Sequence, residues 1–150
     1  MLALPFCLMI FAILELALVF VTDSVLENAT IEQGRLVRTG QAEASGMTAE
    51  QFKAGVCARM NVFAADCTNR LTVDVRVIPQ FNTPPPDPMA NGAFNTGGLT
   101  YSNGTPGDLV LVRSWYKLPL ITTFMAQGLS RLKDGTVRMT ATTAFRNEPA

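Results

Sequence analysis

The side chains in this chain that could do chemistry are few, and the usual combinations of them are missing. There is no histidine among the 150 residues, which removes the commonest general base and the commonest metal ligand together. A Ser or Cys triad therefore has no base. No Gly-rich stretch carries the spacing of a phosphate-binding or dinucleotide-binding turn. Carboxylates are few, and none pair at acid/base spacing on a predicted face. Asp74 and Asp108 fall on predicted strands near arginines, where surface ion pairs are a simpler reading than a site.

The cysteines are more informative. Cys7 sits in an apolar run, whereas Cys57 and Cys67 lie together in the polar part of the chain. Two close cysteines and one remote one suggest a single disulfide and an inert thiol. The competing reading is two reduced, buried thiols. Zinc is poorly supported, because two Cys without His or a further nearby Cys do not complete a site. The pair is not C-x-x-C, which argues against a thioredoxin-like redox role. A Cys57–Cys67 bridge would tie a helix to the entry of the next strand, contribute roughly 2–3 kcal/mol, and require an oxidising compartment.

Stepping outward to the elements, residues 2–21 read LALPFCLMIFAILELALVFV, about the length that crosses a hydrocarbon core of roughly 30 Å. A cleaved signal peptide competes with a retained anchor. The first Lys or Arg is Arg35 and no A-x-A triplet closes the run, so the retained anchor is the expectation. Glu15 is the only ionisable carboxylate in it. A carboxylate there costs roughly 2.5–3.5 kcal/mol by insertion scales. It is either a polar contact to another transmembrane helix or a protonated or interfacial group. Helical spacing continues through Val25, Ala29, Leu36 and Val37, and Arg35 and Arg38 suit a helix C-terminus. One helix is expected from about Leu4 to about Gly40.

Thr48 and Gln51 form a capping-box pattern, and Phe52, Val56, Met60 and Phe63 follow at helical spacing, predicting a helix over Ala49–Val62. Residues Leu71–Ile78 alternate, with Leu71, Val73, Val75 and Val77 on one side. Pro79–Gly107 holds six of the nine prolines and five of the eleven glycines. It reads as a long loop, serving as a contact surface or as a variable connection. A second strand is expected over Gly107–Leu118, paired with a terminal strand over Gly135–Phe145. Between them Pro119–Leu132 reads as a short helix or loop covering one sheet face. The class is α+β: a long N-terminal transmembrane helix extending into the domain, a second short helix and a three-stranded antiparallel sheet. The expected division is a transmembrane anchor at 1–22, a periplasmic extension of the first helix at 23–44, and a periplasmic α+β domain at 45–150 that includes the loop at 79–107. Twelve Lys+Arg balance twelve Asp+Glu, so no charge excess points to nucleic acid.

These residues resemble a family. The apolar run with Glu15 near its middle, followed by Leu26-Glu27-Asn28-Ala29 and Arg35, is similar to the TadE-like proteins, pseudopilins of the Tad/Flp pilus system. The cysteine pair, the strand Leu71–Val77, the segment Trp115-Tyr116-Lys117-Leu118-Pro119-Leu120 and the ending Phe145-Arg146-Asn147-Glu148-Pro149 look like longer members of that family. The resemblance implies a non-enzymatic protein of the bacterial inner membrane, single-pass, with its pilin-like C-terminal domain in the periplasm. Its partners would be the membrane and other pilus-assembly subunits, met through the N-terminal helix. No cofactor, nucleic acid or small-molecule substrate is implied. Family members usually carry a basic leader and a Gly…Val-Glu-Phe processing motif. This sequence starts inside the apolar run, so Glu15 matches the later, mid-helix glutamate. The alternative function is a membrane-anchored periplasmic binding or sensor module using the 79–107 loop.

Overall fold

The computed structural model of the chain describes residues 3–61, 66–83, 85–89, 93–129 and 134–149. Expectations placed on Leu2, Val62, Phe63, Pro84, Asn91, Arg131 and Leu132 lie outside the described residues.

Helix α1 runs Ala3–Arg38, about 54 Å at 1.5 Å per residue. Nothing in its interior breaks it, since Pro5 lies in the first turn where a missing N–H costs little. It ends where Gly40 takes a left-handed φ of 73°, the conformation that stops helices most cheaply at glycine. The buried stripe of its second half is Thr22, Leu26, Ala29, Thr30, Gln33, Gly34 and Val37. Val25 and Leu36, expected within the stripe, are only half-buried and flank it.

A one-turn helix α2 (Gln41–Ala44) buries Ala42. Helix α3 (Ala49–Met60) opens with the expected capping box in both directions: Gln51 N–H donates to Thr48 Oγ1, and Thr48 N–H to Gln51 Oε1 at 2.9 Å. It buries Phe52, Val56, Cys57 and Met60 and stops at Met60, because Asn61 adopts φ 51°. A second one-turn helix, α4 (Cys67–Arg70), leads into strand β1 (Leu71–Val77). Strand β2 (Leu109–Pro119) is central, and helix α5 (Thr123–Leu129) precedes strand β3 (Thr136–Arg146). The sheet is antiparallel with order β1-β2-β3. In its register Asp74 faces Arg113 and Leu111 faces Ala144. The class is therefore α+β.

One face of the sheet is covered by helices, and the other is covered in part by the loop. On one face α1 and α3 pack against Leu71, Val75, Val110, Val112, Tyr116, Met139 and Ala141. Gly34 permits close approach there: a Cβ at that position would lie 3.2 Å from Phe145 Cε1. On the other face lies the loop expected from the Pro/Gly content, and it is tied down. Tyr101 forms a parallel bridge with Val75 on the free edge of β1, and Phe94 packs edge-on against Trp115 at 5.6 Å between ring centroids. The alternation expected in β1 holds for Leu71 and Val75, but Val77 is exposed at the strand's end and Asp74 is buried under the loop. Alternation predicts a wet outer face; over β1 and β2 this one is closed by chain distant in sequence, whereas Thr140, Thr142 and Ala144 on β3 stay exposed.

The segment after β2 makes a contact beyond those expected. Helix α5 touches β3. It reaches past the end of the hairpin to the first half of α1, where Thr122 and Phe124 share a groove with Pro5, Leu8, Met9 and Ala12.

Candidate functional site: an apolar half-helix and its polar anchor

Helix α1 is two surfaces on one rod. Among the described residues it is the one helix long and apolar enough to cross a membrane. Leu4, Phe6, Leu8, Met9, Phe11, Ile13, Leu14 and Phe20 are exposed in its first half, as is the free Cys7. So large a contiguous apolar surface is not left to water in soluble monomers. A helix apolar all round is one made for lipid or for a protein core.

Glu15 is the exception in that half, only 6% exposed. Its carboxylate accepts hydrogen bonds from the N–H of Ile121, the N–H of Thr122 at 3.2 Å and the hydroxyl of Thr122. Of the two readings of Glu15, a contact with another helix or a protonated or interfacial group, neither names these partners, which lie in the same chain 106 and 107 residues away. Backbone N–H groups left without acceptors in an apolar setting are costly. Glu15 satisfies two that open the α5 segment. Sequence reasoning singled out Glu15 but missed Ile121, Thr122 and Phe124. The signal was present: Leu120–Leu129 contains no charged residue, which is unusual for a surface connection.

The second polar centre is Asp74. It is fully buried, which overturns its reading as a surface ion pair. Arg113 donates to Oδ2 at 2.8 and 3.0 Å, Arg76 donates to both oxygens at 2.6 and 2.8 Å, and the Thr100 N–H donates at 2.8 Å. Burial opposes its charge, but the bonds from Arg76, Thr100 and Arg113 together hold its carboxyl below the usual carboxylate range. The same two arginines reach the carbonyls of Gly98 and Pro86. The cluster thus fastens the loop to the sheet with both carboxylate oxygens engaged, and Arg113 lines two small surface clefts beside it. Asp108 has no ion pair among the described residues; it accepts from the N–H and hydroxyl of Thr105 in a tight turn, which lowers its carboxyl's pKa.

Cys57 and Cys67 are joined, with Cα atoms 5.7 Å apart. The bridge links α3 to α4, one turn before β1, and both cysteines belong to the core.

The residues of the suspected family motifs occupy structural positions. Trp115 and Tyr116 are buried on opposite faces of β2, and Pro119 ends that strand, exposed. Arg113 stacks over Trp115 at 4.9 Å. At the C-terminus Phe145 packs on the core and Arg146 pairs with Leu109 in exposed register. Asn147 is buried and donates to the carbonyls of Asn103 and Thr105. The Glu148 N–H donates to the Arg38 carbonyl at 2.9 Å, satisfying an orphan acceptor at the end of α1, and its carboxylate lies 3.4 Å from Arg38. Pro149 is exposed. The ending clamps β3 to the loop and to α1. Among the described residues no group of three or more Cys, Asp or Glu side chains is placed to hold a metal.

Neither a protein-family model, nor a characterised protein, nor a solved structure was found to match this chain.

Proposed function

We propose that this chain is a non-enzymatic, single-pass membrane-anchored subunit of pilus assembly, TadE-like in kind, with its α+β domain on the periplasmic side of a bacterial inner membrane. The observation that carries the reading is the division of α1. Its first half presents apolar side chains outward over several turns, and its second half is the spine of a disulfide-bonded domain. A helix so built can hold its domain at a membrane and later pack its apolar half against like helices in a filament. The bridge favours an oxidising compartment. The motif residues support the reading as framework: Trp115, Tyr116, Phe145, Asn147 and Glu148 hold sheet, loop and helix together and need no substrate to account for them. The loop over 79–107 is riveted through Asp74, which fits a fixed surface better than a flexible binding arm.

The test is an in-frame deletion in the source bacterium. The reading expects loss of surface pili and of adherence, with unchanged growth, restored by the full chain but not by a secreted form lacking residues 1–22. Normal piliation in the deletion strain would overturn it.

A further inference from the structure

We propose that the β2–β3 connection is a second lipid-contacting element, which seats the domain on the membrane beside its own anchor. The inference rests on the reading of α1 as a membrane anchor. Ile121 is 85% exposed and Phe124 is 78% exposed, the two most open large apolar side chains of the described residues. Neither faces a remote part of the surface. Phe124 borders the groove lined by Pro5, Leu8, Met9 and Ala12, and Ile121 that lined by Phe11, Leu14, Glu15 and Leu18. Whatever surrounds those α1 residues surrounds Ile121 and Phe124 as well, because they form one continuous surface. Met9 lies thirteen residues before Thr22, where α1 becomes buried by the domain. At 1.5 Å per residue that is about 20 Å along the helix, so the connection descends well along the anchor.

A chain segment entering lipid must satisfy its backbone internally. Here residues 123–129 are helical, and the N–H groups of Ile121 and Thr122 ahead of them are taken by Glu15. Glu15, on the anchor, accepts from the segment that comes down beside it. With Phe124 and Gln127 both exposed, this seven-residue helix is far too short to cross the bilayer and lies along the anchor instead.

The experiment uses the full chain carrying Cys7→Ala, reconstituted in vesicles of phosphatidylethanolamine and phosphatidylglycerol. A nitroxide is attached singly at Ile121→Cys, at Phe124→Cys and, as the anchor control, at Phe11→Cys. Collisions with oxygen, which partitions into hydrocarbon, are compared with collisions with a water-soluble nickel chelate. The expected result is high oxygen and low nickel accessibility at all three sites. Nickel accessibility at 121 and 124 with lipid exposure at 11 would overturn this inference and leave the anchor standing. Nickel accessibility at 11 would remove the anchor and the inference with it. Protection from both reagents at 121 and 124 would mean a protein covers them, and would equally overturn lipid contact. Adding Glu15→Ala is expected to raise nickel accessibility at 121 while the label at 11 is unchanged; no change at 121 would refute the role given to Glu15.

Discussion

The two halves of α1 share one backbone conformation and bury opposite things. The half from Thr22 to Arg38 hides a stripe of Leu26, Ala29, Thr30, Gln33, Gly34 and Val37 and leaves its charges in solvent. The half from Ala3 to Val21 exposes nearly all its large apolar side chains and buries its single carboxylate. The inversion teaches that helix geometry decides neither surface. The surrounding medium does: a domain core rewards a stripe, and a hydrocarbon medium rewards an apolar circumference with any polar group turned toward protein. The two buried carboxylates sharpen the same point. Asp74, under the loop, is held by two guanidinium groups, whereas Glu15, on the apolar half, is held by N–H groups and a hydroxyl, with no cation among the described residues.

The largest way to break this comparison is at Asp74. Asp74→Asn leaves Arg113 nearly buried without its counter-charge, and removing one member of a buried pair costs about 3–5 kcal/mol. Denaturant unfolding of the full chain in mild detergent is expected to show that loss. The pH dependence has a definite sign. The folded-state pKa of Asp74 lies below its unfolded value of about 3.9. Its contribution is therefore present above about pH 4 and is lost as the pH falls through the lowered folded value. Asp134, held at about 2 by Lys117 and Thr136, acts in the same direction. Stability should fall on acidification below about pH 4, and less steeply in Asp74→Asn.

Next comes the contrast within α1 itself. Leu26→Ala empties a fully buried site and should cost about 2–5 kcal/mol of domain stability. Leu8→Ala, on the exposed apolar half, should leave domain unfolding nearly unchanged and instead weaken retention in membranes. Similar losses of domain stability in both variants would erase the distinction between the halves.

Replacing Cys57 and Cys67 together by serine should cost roughly 2–3 kcal/mol, read as a lowered midpoint that reducing agent reproduces in the parent chain. The smallest effect is expected at the exposed Arg38–Glu148 pair. Arg38→Ala should change stability by about 1 kcal/mol or less, because the Glu148 N–H bond to the Arg38 carbonyl is made by backbone and survives.

Much of this was legible from local pattern. The capping box at Thr48 and Gln51, the strands with their antiparallel pairing, the cysteine pair and the extent of α1 all follow from neighbours within a few residues. What escaped depends on long-range contact. The burial of Asp74 comes from Arg113 and Thr100, 39 and 26 residues away, and alternation along β1 carries no trace of a loop closing over it. The end of α3 at Asn61 reflects a backbone reversal that the spacing of Phe52, Val56 and Met60 does not encode. The contact of Ile121, Thr122 and Phe124 with α1 leaves no local signature beyond the absence of charge in Leu120–Leu129. The other side of that contact is a stretch of helix more than a hundred residues earlier.

The account depends most directly on the first half of α1 remaining in lipid. Membranes bearing the native chain should be washed with alkaline carbonate and the chain detected in pellet and supernatant. The account predicts intact protein in the pellet, released by detergent alone. Recovery of the chain in the carbonate supernatant would contradict it.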